Sequence, residues 1–203
     1  MSKKIGILGG SFNPIHIGHI LMCRYTYEQL DLEKVYLMPN EKPPHKKGDQ
    51  SMLLADHRLN MCKIVEKNND FIETISVEIG NNKTNYTVET MEHLLENQFK
   101  NYEIYFIVGA DSILQIETWR EYEKLFQLIN FVCIMRPSYN EETVENKISS
   151  LEQQYNITIE RIEMPLIGLS STNIRNRIME KKSIKYMLDS DIIDYIHSNS
   201  LFS

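Results

Sequence analysis

The chain has 203 residues, with 22 Lys and Arg against 28 Asp and Glu, and so a formal net charge of −6. Its 42 % apolar and 25 % charged residues are too rich in core-forming side chains for a disordered chain, and the length accommodates one α/β domain. A pI near 5.6 argues against capture of nucleic acid or an anionic membrane by bulk charge, but leaves room for a small anion in a local pocket.

The opening apolar stretch, Ile5 to Leu8, is too short and too broken by glycine to be a signal segment, so residues 3–9 are expected to form a first strand. Residues 17–30 carry Ile17, Ile20, Leu21, Tyr25 and Leu30 at helical spacing. A strand is expected at 35–38, closed by Pro39. A polar loop follows at 40–50, longer than the usual ~4–6 residues. The pattern then predicts a helix at 53–65, a strand at 72–77, and a helix at 88–99 with Met91, Leu94 and Leu95 on one face. Strands at 103–108 and 131–135, a polar helix at 140–154, a strand at 157–162 and two closing helices at 171–180 and 189–199 complete the chain. This alternation predicts a Rossmann-like, doubly wound, mostly parallel sheet with helices on both faces. No repeat or linker divides it, so residues 1–203 are expected to form one domain. The longest later apolar run, residues 126–135, falls far short of the ~20 needed to cross a bilayer. Cys23, Cys62 and Cys133 are odd in number, widely spaced and without a C-x-x-C pair, as expected of reduced, buried thiols in a cytoplasmic protein.

In a doubly wound sheet, ligands bind beyond the C-terminal ends of the strands. The first strand runs into Gly9-Gly10-Ser11-Phe12-Asn13-Pro14-Ile15-His16-Ile17-Gly18-His19. Glycines there let backbone N–H groups approach a phosphate, and the next helix turns its N-terminus to the same place. His16 and His19, at i and i+3, can share one side of that helix start. One histidine in such a place reads as a cap or a core residue; the pair, set between glycines, reads as a site. It is neither a P-loop nor a G-x-G-x-x-G fingerprint, and a metal site from the two histidines is the minor alternative, since no third ligand stands nearby. Near the C-terminus, Ser170, Ser171 and Thr172 can cap a helix whose N-terminus favours an anion, and Arg175 offers a planar donor fork one turn later.

The G-G-S-F-N-P-I-H-I-G-H segment resembles the G-G-T-F-D-P-x-H-x-G-H signature of the nucleotidylyltransferase superfamily, with Ser11 for the usual Thr and Asn13 for the usual Asp. The Ser170-Ser171-Thr172-Asn173-Ile174-Arg175 segment resembles the motif that completes its phosphate site. Pro43-Pro44-His45-Lys46, Tyr86-Thr87, Gly109-Ala110-Asp111, Trp119 and Arg136-Pro137 are similar to segments of the bacterial nicotinate mononucleotide adenylyltransferases. The resemblance implies transfer of the AMP moiety of ATP to nicotinate mononucleotide, giving deamido-NAD and pyrophosphate in NAD biosynthesis. It implies His16 and His19 as catalytic residues. It assigns Gly9, Gly10, Ser11, Phe12, Gly18, Gly109, Asp111, Arg136, Ser170, Ser171, Thr172 and Arg175 to ATP. His45, Lys46, Tyr86, Thr87 and Trp119 fall to the mononucleotide, the indole stacking on the pyridine ring. Mg²⁺ would arrive with ATP rather than in a protein cage, and homo-oligomerisation is a family habit. The rival readings are another adenylyl- or cytidylyltransferase for a small substrate, and a non-catalytic nucleotide-binding module.

Overall fold

A parallel strand covered on both faces must be apolar on both, with successive side chains pointing to opposite sides. The computed structural model describes residues 3–41, 52–80, 84–135, 141–165 and 167–202. In it, β1 (Lys3–Gly10), β2 (Lys34–Pro39), β3 (Ile72–Thr74), β4 (Tyr102–Gly109), β5 (Asn130–Ile134) and β6 (Ile159–Ile162) pair in parallel in the order β3-β2-β1-β4-β5-β6. Ile5, Ile7, Ile104, Phe106, Val108, Phe131 and Cys133 point to one face. Leu8, Leu37, Tyr105, Ile107, Val132 and Ile134 point to the other.

The helices sort accordingly. α1 (Ile17–Gln29), α2 (Ala55–Lys67), α7 (Ser171–Met179) and α8 (Ser190–Ser198) bury Met22, Cys62, Ile174 and Ile192 on the Leu8 side. α3 (Thr87–Asn97), α4 (Ala110–Leu114), α5 (Tyr122–Leu128) and α6 (Glu141–Tyr155) bury Met91, Ile113, Leu125 and Ile148 on the Ile7 side. The chain reverses its winding between β1 and β4, so a crevice opens at their adjacent carboxyl ends. All three cysteines are free and buried, and burial pushes their thiols up, that of Cys133 to about 12. Among the described residues no helix is long and apolar enough to cross a membrane.

Two expectations need correction, and one stretch holds elements that the sequence pattern does not mark. In α1 the buried residues are Gly18, Met22, Cys23 and Thr26, while Ile20, Tyr25 and Leu30 are only partly covered. At the start of α1 the Ile17 N–H donates to the Met187 carbonyl at 3.0 Å. Partly covered apolar residues flank the buried stripe, so the apolar spacing in the sequence does not mark the buried face. β3 ends at Thr74 rather than 77, because this edge strand pairs only with residues 35–37 of β2. Residues 110–128 hold α4, a 3-10 turn (Ile116–Thr118) and α5, each too short to show a helical period.

Gly6 sits in β1 where a Cβ would lie 3.0 Å from Leu32 Cδ1 and 3.2 Å from both Ile107 Cδ1 and Val35 Cγ2. Gly6→Ala is expected to destabilise the fold by about 1–3 kcal/mol, the usual cost of overpacking. Urea denaturation measures it; an unchanged midpoint would show that these side chains give way freely.

Candidate active site

The loop between β1 and α1 is held by its carbonyls. Arg58 Nη1 donates to the Ser11 carbonyl at 2.8 Å, Arg175 Nη1 to that of Asn13 at 2.9 Å, and Ser171 Oγ to that of Pro14 at 2.8 Å. Asn13 is 1 % exposed, and its Oδ1 accepts from the Leu53 N–H at 3.1 Å. The position uses a hydrogen-bond acceptor, which an amide supplies as well as the family's carboxylate and without burying a charge.

His16 is the N-cap residue of α1 and is buried. Its N–H donates to His19 Nδ1 at 3.2 Å, and the two rings stack with centroids 3.7 Å apart and planes 30° from parallel. Because Nδ1 of His19 accepts, a neutral His19 carries its proton on Nε2. Phe12 meets the His19 ring edge-on at 5.3 Å. A Cβ on Gly18 would lie 3.0 Å from both Cε1 and Nδ1 of His16, so this glycine makes room for the histidine ring.

His19 faces a cavity of about 410 Å³ at the carboxyl ends of β1 and β4. Gly9, Gly10, Gly109 and Asp111 line it, as do Tyr86, Thr87 and Trp119. Some of the residues that the resemblance assigns to ATP thus line the same cavity as three of those it assigns to the mononucleotide. Gly9 makes room for the Phe106 ring, since a Cβ there would lie 3.0 Å from Phe106 Cζ. Trp119 is half-buried, edge-on to Phe106 at 6.1 Å. Tyr86 is the N-cap residue of α3 and makes no side-chain cap bond, and it and Thr87 line the cavity.

Ser11, Phe12, His16, Gly18, Ser170, Ser171, Thr172 and Arg175 are not part of that wall. Ser170 caps α7 by accepting from the Asn173 N–H at 3.1 Å. Arg175, expected to offer its fork to a phosphate, spends Nη1 on the Asn13 carbonyl and Nη2 on Thr172 Oγ1 at 3.2 Å. His45, Lys46 and Arg136 lie outside the described residues.

Sequence reasoning missed three residues. Arg58 is fully buried, although it falls on the apolar stripe of α2 with Met61, Cys62 and Val65, and that placement was a legible signal. Arg120 lines the cavity over the Tyr86 ring, 4.5 Å from its centroid, and pairs with Glu89 at 3.0 Å. Nothing in its neighbourhood in the chain marks it. Glu78 also lines the cavity, 6 % exposed, and accepts from Thr90 Oγ1 at 2.7 Å. Burial raises its carboxyl above the usual carboxylate range, the Thr90 bond opposing this in part.

A family model described as cytidylyltransferase-like matches residues 7–177. A Carboxydothermus hydrogenoformans protein named "Probable nicotinate-nucleotide adenylyltransferase" is 36 % identical over 199 residues, covering 98 % of each chain. A Bacillus mycoides protein of the same name is 34 % identical over 200 residues, again covering 98 % of each. Among solved structures, Plasmodium falciparum nicotinic acid mononucleotide adenylyltransferase complexed with NaAD shares the fold at a TM-score of 0.79. That match covers 98 % of this chain and 97 % of the other, at 24 % identity.

A carboxyl whose folded pKa is raised favours folding at low pH, and that contribution is lost as pH rises from the ordinary value through the raised one. Glu78→Gln keeps an acceptor for Thr90 and removes the buried charge. The variant is therefore expected to melt higher than the parent at neutral pH, with the gain shrinking as the buffer is acidified. A lower melting temperature at neutral pH would show that the ionised carboxylate holds this wall together.

Proposed function

The chain belongs to the cytidylyltransferase-like family, among its nicotinate-nucleotide adenylyltransferases, and on that premise we propose that it transfers the AMP moiety of ATP to nicotinate mononucleotide. The products are deamido-NAD and pyrophosphate, and the whole chain, 1–203, acts as one nucleotidylyltransferase domain. The observation that carries the reading is a shared cavity. His19 and the glycine end of β1 open onto the same space as Tyr86, Thr87 and Trp119.

In the reaction, an oxygen of the mononucleotide phosphate bonds to the α-phosphorus of ATP while the bond from that phosphorus to the bridging oxygen breaks on the opposite side. The nucleophile is already an anion, so the site need only align two polyanions and neutralise charge as it develops. His19 suits that task, with Nε2–H as donor and Nδ1 occupied from behind. His16, buried and stacked against it, holds the ring in place. Gly9 and Gly10 let the backbone approach the nucleotide closely, with Gly109 and Asp111 on the far wall. Tyr86, Thr87 and Trp119 enclose the pyridine end. Ser11, Phe12 and Gly18 shape the phosphate loop, to which Ser171 and Arg175 are bonded. His45, Lys46 and Arg136 complete the phosphate contacts in this reading on the strength of the resemblance. Mg²⁺ carried in on ATP would neutralise the leaving pyrophosphate, and Asp111, an exposed carboxylate on the wall, would suit its water shell. The reading places the enzyme in the cytoplasm.

Pyrophosphate release with ATP and nicotinate mononucleotide tests the reading, and activity with CTP but not ATP would overturn it in favour of a cytidylyltransferase. His19→Ala is expected to lower kcat by about 10²–10³, as for loss of one transition-state donor, with the KM for ATP little changed. Trp119→Ala should instead raise the KM for the mononucleotide. A rise in the KM for ATP alone would refute the stacking assignment.

A further inference from the structure

Arg58 is a buried charge that the reaction as described does not use. It is 0 % exposed, and its guanidinium bonds only to main-chain carbonyls: Ser11 at 2.8 Å, Glu41 at 2.9 Å and Leu53 at 3.2 Å. Burial pulls its pKa below the ordinary arginine value. A buried cation held by carbonyls rather than by a carboxylate costs stability, and an apolar side chain of similar volume is often neutral or better. The charge therefore calls for a reason other than folding.

Its geometry supplies one. The Ser11–Phe12 peptide is planar and trans, so its C=O and N–H point in opposite directions. With the carbonyl drawn toward Arg58, the Phe12 N–H is directed away from Arg58. No acceptor among the described residues takes that N–H. Phe12 also holds φ at 44°, in the left-handed region that side chains rarely adopt and that surrounding contacts must maintain.

We propose that Arg58 is a positioning residue for the phosphate site: it draws the Ser11 carbonyl inward, presents the Phe12 N–H to a polyphosphate, and places a positive charge behind the loop. The proposal rests on the reading that this loop takes the phosphates of ATP. Lysine at 58 keeps the charge but cannot span three carbonyls, whereas methionine removes both the charge and the hydrogen bonds while filling much of the volume.

The test follows the Phe12 amide by NMR during titration with inorganic pyrophosphate, alongside steady-state kinetics of the parent, Arg58→Lys and Arg58→Met. In the parent, pyrophosphate is expected to shift the Phe12 amide. In both variants pyrophosphate affinity should fall and the KM for ATP rise by about tenfold or more, Met exceeding Lys, while the KM for the mononucleotide stays within about threefold. The methionine variant guards against loss of folding, since it relieves the buried charge. Folded variants that bind pyrophosphate like the parent would overturn the role of Arg58 alone, as would equal rises in both KM values. A parent Phe12 amide that ignores saturating pyrophosphate would overturn the loop's phosphate reading, and this proposal with it.

Discussion

A backbone that is to receive an anion must turn its carbonyls away, because each C=O is a partial negative charge as close to the ligand as the N–H beside it. The loop after β1 meets this constraint from within the protein. The carbonyls of Ser11, Asn13 and Pro14 are taken by Arg58, Arg175 and Ser171, which come from α2 and α7. The glycine-rich segment is therefore not sufficient by itself. Two helices distant in sequence hold its carbonyls, and both pack on the same face of the sheet. Arg175 is an example of a residue type suited to phosphate whose visible bonds serve the backbone.

The sheet order brings the rest to that loop. With β1 beside β4 at the reversal of winding, the glycine end of one strand faces Gly109 and Asp111 beyond the other, and the start of α3 closes the side. Within this frame the two histidines divide the work by depth. His16 is buried, occupies the volume that Gly18 leaves, and gives its N–H to Nδ1 of His19. His19 itself lines the cavity. The charge balance of the chain fits this arrangement. Two cations, Arg58 and Arg175, turn to the carbonyls of that loop in a chain whose net charge is −6.

Much of the fold was legible because parallel strands buried on both faces are short apolar runs, and β1, β4 and β5 carry no competing pattern. Two kinds of feature were not legible. Elements shorter than two helical turns, such as α4 and the 3-10 turn, show no period, and Trp119 and Arg120 fall just beyond that turn. Long-range bonds to backbone carbonyls also leave no residue-type signature, since any residue has a carbonyl. The tie from Arg58 to Ser11, 47 positions away, could be suspected only from an arginine on an apolar stripe. The motifs themselves were readable, because glycine, histidine and helix-capping residues at fixed offsets restrict the backbone locally. Where their side chains point was settled by tertiary partners.

Phe106 belongs to two regions at once. On one side it packs edge-on against Phe131 in the core, and on the other against Trp119 at 6.1 Å, while its Cζ occupies the space that a Cβ on Gly9 would need. No layer of inert packing separates the hydrophobic interior from the aromatic wall of the cavity. Mutational drift in the core beneath this ring would therefore be felt at the cavity wall. Changes in core packing and changes in the shape of the cavity pass through the same side chain.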